Sequence, residues 1–219
     1  PAYVGRVAAA FNNNGQGVRG DLRAVIRAVL LDPEARDDRM AGRADAGKLR
    51  EPMARWWQYL RTTARAGNGN RAYYDHTRMV PAFGQWPMNS PSVFNFYRPD
   101  YSPPGPLRQA GLVAPEFQIT HEFTAAATHN EFTLWTTWDN KGLYGEHFDD
   151  FGALLPLAAN TEVLVDELDL LFTYRSLSPT SRKAIIDAVN AIPPWEGDAA
   201  KLKLALRLVL VSPDYQILK

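Results

Sequence analysis

Four histidines are the side chains in this sequence best suited to metal or acid–base chemistry: His76, His121, His129 and His147. Two of them lie in an imperfect echo, Thr120-His121-Glu122-Phe123-Thr124 followed by Thr128-His129-Asn130-Glu131-Phe132-Thr133. Helical metal sites pair histidines four residues apart, because those side chains meet on one face. His121 and His129 are eight apart, which is the wrong spacing. Glu122 and His129, seven apart, share a face, yet two turns separate them by about 10 Å along the helix axis. His121, Glu122 and His129 therefore stand as weak catalytic candidates, and no metal is assigned to them. The densest run of oxygen and nitrogen donors is Glu146-His147-Phe148-Asp149-Asp150. Calcium asks for about six to eight oxygens on a rigid, glycine-assisted loop, a pattern this run does not match. With Gly142, Gly145 and Gly152 around it, it reads as a solvated acidic loop, a weak cation site being the alternative.

Nucleophilic catalysis has no signature. There is no G-x-S-x-G elbow, and Ser90, Ser92, Ser102, Ser176, Ser178, Ser181 and Ser212 lie beside or near prolines, where serines cap helices and close turns. Gly15-Gln16-Gly17-Val18-Arg19-Gly20 has the outline of a dinucleotide fingerprint, but Asn12-Asn13-Asn14 precedes it instead of a strand, so a helix-to-helix turn is expected. The chain has no cysteine, which excludes disulfides, zinc-thiolate sites, iron–sulfur clusters and a thiolate nucleophile, and leaves the compartment open. No cofactor is expected.

The aromatic residues are the stronger functional hint. From Pro81 to Pro106, both included, there are seven prolines, interleaved with Phe83, Trp86, Phe94, Phe96, Tyr97 and Tyr101. Proline fixes φ and removes an amide donor, so this stretch must be an extended, turn-rich excursion. A disordered linker would be poor in aromatics. This one is rich, and an ordered loop packed on helices is expected, of the kind that often carries function. Trp86, Tyr97 and Tyr101, with Trp135 and Trp138 further on, are the candidate ligand-binding set, able to stack on sugar rings or anchor a protein. The competing reading makes them core residues that pin the loop. Arg98 and Asp100 read as a local ion pair or turn groups.

Helices must position these groups. Asp21 is a good N-cap for Leu22, Val25, Ile26, Val29 and Leu30, and Pro33 stops that helix. Asp198 is the expected cap of a helix carrying Leu202, Ala205, Leu206, Val209 and Leu210, with Pro213 as its stop. Leu204, Leu208 and Val211 make this second helix apolar nearly all round, which places it centrally. The two stops are an internal echo: Arg27-Ala28-Val29-Leu30-Leu31-Asp32-Pro33-Glu34 lies over Arg207-Leu208-Val209-Leu210-Val211-Ser212-Pro213-Asp214. Two copies so far apart make a recurring helix-stop device, not a solenoid. Pro52 opens a helix with Met53, Trp56, Trp57 and Leu60, broken by Gly67-Asn68-Gly69-Asn70. Pro115 is expected to open one long helix through Phe117, Phe123, Ala126, Ala127, Asn130 and Leu134. Ser178-Pro179 starts another, through Ile185, Ile186, Val189 and Ile192 to Pro193-Pro194.

No segment alternates with period two over a useful length. The expected fold is all-α, an irregular multi-helix bundle with one long proline- and aromatic-rich ordered loop at about residues 81–106, in a single mostly helical domain over 1–219. The chain's 219 residues, 46% of them hydrophobic, suffice for one substantial core. Its 24 basic and 24 acidic residues cancel, which disfavours a nucleic-acid partner. Charge is uneven, +6 over residues 1–80 and −9 over residues 110–175. No apolar run approaches the ~18 residues needed to span a bilayer. The chain starts at Pro1 without a start methionine or a signal peptide, and is read as a carboxy-terminal piece of something longer.

Several separated motifs resemble one family. They are Gly84-Gln85-Trp86-Pro87, Ser90-Pro91-Ser92-Val93-Phe94-Asn95-Phe96-Tyr97-Arg98-Pro99-Asp100-Tyr101, Pro103-Pro104-Gly105-Pro106 and Ala110-Gly111-Leu112-Val113-Ala114-Pro115-Glu116-Phe117-Gln118-Ile119. Lys48-Leu49-Arg50-Glu51-Pro52, Leu177-Ser178-Pro179 and Leu210-Val211-Ser212-Pro213-Asp214-Tyr215-Gln216 add to the set. Together they look like a large bacterial family known as domain of unknown function number eighteen hundred. The resemblance implies a longer protein whose amino-terminal half lies outside this chain, export to the periplasm or beyond, and a sulfatase-like partner encoded nearby. No catalytic residues are established for that family, so none carries over. The function expected is a helical module of an exported bacterial protein that binds a protein partner or a polysaccharide. The alternative is part of a hydrolase of surface polymers, with its site at the junction to the absent half, borrowing His121, Glu122 or His129.

Overall fold

A computed structural model of the chain describes residues 2–37, 39, 42–43, 46–63, 76–137 and 151–218, without the side chains of 76–79 and 137. The chain divides into two compact units, residues 1–47 and 48–218.

The first unit pairs two helices, α1 (Ala2–Asn12) and α2 (Leu22–Leu31), and adds the short α3 (Pro33–Arg36). The glycine motif between them is the expected turn. Asn13 Oδ1 accepts from the amides of Gly15 and Gly17 at 2.9 Å each, and Asn14 Oδ1 from those of Gln16 and Val18 at 2.9 and 3.2 Å. Asp21 caps α2 through the amides of Arg23 and Ala24. Asp32, nearly buried, caps α3 and takes a two-pronged contact from Arg6, Nε to Oδ2 at 2.6 Å and Nη2 to Oδ1 at 2.7 Å. Tyr3 donates its hydroxyl to the Val29 carbonyl. Among the described residues of this unit no hydrophobic side chain is buried, and Leu22, Ile26, Val29 and Leu30 stay exposed.

The second unit holds the core. Its elements are β1 (Lys48–Leu49), α4 (Pro52–Thr63), α5 (His76–Phe83), α6 (Pro106–Gln109), α7 (Glu122–Thr137), α8 (Thr161–Leu168), α9 (Pro179–Asn190), α10 (Gly197–Val211), α11 (Pro213–Gln216) and β2 (Ile217–Leu218). The two short strands pair antiparallel, Lys48 with Leu218 and Leu49 with Ile217. Among the described residues they are the only sheet, and the fold is all-α. α10 is central, packed on α7, α8 and α9, with Leu202, Ala205, Leu206, Val209 and Leu210 buried. Around it the large rings interlock: Trp56 stacks on Tyr59 (centroids 5.6 Å) and meets Trp135 edge-on (4.9 Å), while Phe132 and Phe172 meet Tyr215 edge-on. Each fully buried ring contributes about 2–3 kcal/mol relative to exposure.

Three expectations need correction. The long helix from Pro115 is two pieces, a 3-10 turn (Pro115–Ile119) and α7. The chain turns extended at Thr120, whose hydroxyl donates to the Glu116 carbonyl, while Thr124 Oγ1 receives the His121 amide and so starts α7 afresh. Asp198 is not the cap of α10: that helix starts at Gly197 behind Glu196, and Asp198 sits in its first turn, where a carboxylate favours the helix dipole. The proline-rich loop is shorter than 81–106 at both ends. Pro81 lies inside α5 at the expense of one helical bond, and Pro106 begins α6. The predicted break at Gly67–Asn70 lies outside the described residues.

Candidate functional site

The loop begins where Gly84 leaves α5. Its φ of +65°, and the 3.2 Å that would separate a Cβ from the Ile119 carbonyl oxygen, make glycine the residue that fits there. Two side chains then tie the ends of the loop to one acid. Gln85, almost wholly buried, donates to Glu51 Oε2 at 2.7 Å and accepts from the Met53 amide at 3.3 Å. Tyr97 donates its hydroxyl to Glu51 Oε1 at 2.5 Å. Burial and the Glu51 carboxylate both push the Tyr97 hydroxyl above its usual pKa, so it remains a donor at any physiological pH. Further along, the Arg98 amide donates to Gln118 at 2.8 Å, the Ala114 amide to the Tyr101 carbonyl at 2.8 Å, and the Ser102 hydroxyl to the Leu112 carbonyl at 2.7 Å. Arg98 and Asp100 form an exposed local ion pair at 3.4 Å.

Held in this way, the loop presents a different set of side chains from the one its composition suggests. Trp86 and Trp135 are half-buried against the core, and Tyr97 and Tyr101 are half-buried too. Trp138 lies outside the described residues. What projects is Met88 at 104% exposure, Val93 at 95% and Phe94 at 76%. Asn95 adopts φ +74°, a left-handed conformation that asparagine tolerates, and Met88 adopts φ +60°, one that its side chain avoids unless the surroundings impose it. No periodic signal marks Met88, Val93 and Phe94, because they lie between Pro87 and Pro99 outside any helix or strand. Their one legible trait is the absence of a polar tip, which Trp86 and Tyr97 possess and which burial can satisfy.

The weak catalytic candidates do not converge. His121 and Glu122 are exposed at the start of α7, where the His121 ring stacks on Phe123 (6.4 Å). His129, two turns on, is exposed as well and lines a small cleft with Arg55 of α4, Thr120, Thr124, Thr128 and Gln216. The side chain of His76, together with His147 and the whole of Glu146 to Asp150, lies outside the described residues. Among the described residues no three His, Asp or Glu side chains are placed to hold a metal ion. Arg55 was not singled out from sequence. It is one of 24 basic residues there, and nothing local shows that its helix face is the buried one.

No helix of the described residues is long and apolar enough to cross a membrane. No curated protein and no solved structure matches the chain. A family model described as "Protein of unknown function (DUF1800)" matches residues 1–217, in line with the motifs that run from the Lys48-Leu49-Arg50-Glu51-Pro52 segment to the pinned loop and the closing helix stop. By that match over almost its whole length, the chain belongs to the DUF1800 family.

Proposed function

We propose that the chain is a binding module that engages a protein partner through the projecting part of its loop, residues 88–94. The observation that carries this reading is the contrast within one loop. The Trp86 and Tyr97 side chains and the Tyr101 backbone carbonyl anchor it, while Met88, Val93 and Phe94 are held out in solvent. An apolar set that the fold spends anchors to expose is a docking surface in waiting. Methionine and phenylalanine are enriched in protein interfaces, whereas sugar binding calls for flat rings with polar tips, and here those rings are the anchors. This favours a protein over a polysaccharide. Export to the periplasm or beyond, a carboxy-terminal place in a longer protein and a sulfatase-like partner, all implied by the family resemblance, belong to the same proposal.

The test compares tagged full-length protein with its Met88→Asp/Phe94→Asp variant, each captured from the native host and quantified by mass spectrometry. The expected result is one stoichiometric protein, depleted at least roughly tenfold by the variant while the melting temperature stays unchanged, as befits exposed positions. Equal recovery with both proteins, or recovery of a polysaccharide alone, overturns the reading.

A further inference from the structure

Among the described residues no acid answers the buried cation of Arg55. Its side chain lies on the inner face of α4, the residue only 5% exposed, over the ring of Phe132 at 5.8 Å. Its Nε has no hydrogen-bond partner, and no carboxylate among the described residues pairs with it. Burial pushes its pKa down to about 10, and the charge of Arg50 adds to the push. Arg50 cannot help by yielding a counter-ion of its own, because its Nη1 is satisfied by neutral groups, Gln58 Oε1 at 2.6 Å and the Phe172 carbonyl at 3.0 Å. Buried charges in proteins are normally paired.

The cleft beside Arg55 is where a counter-charge would fit. About 30 Å³ is open in it, room for a water molecule or one small head group and far short of the several hundred Å³ that enclose a whole metabolite. Its threonine hydroxyls are already committed: Thr120 donates to the Glu116 carbonyl (3.1 Å), Thr124 to that of Ile119 (2.8 Å) and Thr128 to that of Ala82 (3.0 Å). The donors left to face a guest are the Arg55 guanidinium, the exposed His129 ring and the second proton of the Gln216 amide, whose first goes to the Val211 carbonyl (3.1 Å).

We propose that this cleft binds a single carboxylate group, gripped by Arg55 and closed on its outer side by His129. One guanidinium balances one negative charge, and its planar fork matches two carboxylate oxygens. A doubly charged phosphate would meet one cation and too few donors. The carboxylate can belong to a free organic acid or to an acidic residue or chain end of a peptide, since both present the same head group.

The test is calorimetric titration of the full chain with sodium acetate against sodium chloride at equal ionic strength, and with the capped tripeptide N-acetyl-Gly-Glu-Gly-amide. Saturable binding of acetate but not chloride is expected, weakened at least roughly tenfold by Arg55→Met and about threefold by His129→Ala, an exposed position that leaves the fold intact. Arg55→Met should also raise the melting temperature in the absence of acetate, because it replaces an unanswered buried charge by an apolar chain, whereas a purely structural Arg55 predicts a fall. Tighter binding of the peptide than of acetate assigns the group to a peptide, and the reverse to a free acid. Equal responses to acetate and chloride, or acetate binding that survives both substitutions, overturn the proposal.

Discussion

The helix stop of residues 27–34 and that of residues 207–214 are built alike and sit in opposite environments. In each, an apolar helix ends at a nearly buried cap, Asp32 or Ser212, followed by a proline that opens a four-residue helix. Asp32 accepts from the Glu34 amide at 2.9 Å, and Ser212 from the Tyr215 amide at 3.2 Å. Yet Leu30 is 60% exposed and Leu210 is fully buried. The first copy is held to its neighbour helix by Arg6 and Tyr3. The second is enclosed by α7, α8 and α9. The same local chemistry therefore ends both helices, while the stability each copy draws from its apolar residues is set by what surrounds it.

Substitutions at matched positions can break this comparison. Leu210→Ala should cost about 3–5 kcal/mol in denaturant unfolding, since it removes a fully buried side chain and leaves a cavity. Leu30→Ala should stay within about 0.5 kcal/mol. Similar losses at the two sites would show that the first copy is covered in solution.

A smaller effect should appear with pH. The Arg6 guanidinium holds the Asp32 carboxyl below the usual carboxylate range, so its contribution to stability is complete above the unfolded value of about 4 and is lost as pH falls through the lower folded value. Amide exchange in α1 and α2 should therefore quicken as pH drops below about 4, after correction for intrinsic rates. Asp32→Asn should remove that dependence, and Ser212 offers no titrating group to produce it at the second copy. A pH response equally strong in α10 would contradict this assignment.

The smallest effect should also be the most nearly equal. Pro33→Ala and Pro213→Ala each remove a first-turn proline that acts through local geometry and the entropy of the unfolded chain, so both should cost about 0.5–1 kcal/mol by chemical denaturation. A large disparity between them would mean that the device is not local.

The legible parts of the fold were those whose atoms lie within a few residues of each other. Asp21, Pro52 and Ser178-Pro179 open their helices as their types require. The false continuity of Pro115 through Leu134 shows the limit of such evidence, because apolar spacing ran on across Thr120 while two threonine hydroxyls redirected the backbone. At the candidate loop, aromatic content marked a segment whose projecting side chains are Met88, Val93 and Phe94. Trp86 and Tyr97 found partners, in the core and in Glu51, and Met88 and Phe94 were left outside. The cleft at Arg55 was not legible at all, since its walls come from α4, α7, α10 and α11.

Taken by itself, then, the sequence determined the helical class, the Asp21 and Ser178 caps, the stops at Pro33 and Pro213 and the family. Each of these depends on contacts between near neighbours or on short motifs. The tertiary structure decided which apolar faces are covered, which aromatics anchor and which project, and that Arg55 lies buried over an aromatic ring. Those outcomes rest on contacts such as the Tyr215 hydroxyl on the Arg55 carbonyl at 2.7 Å and Arg50 on the Phe172 carbonyl at 3.0 Å, which join residues 160 and 122 positions apart. Burial is a property of the partners a residue meets, and no local pattern names partners that far away.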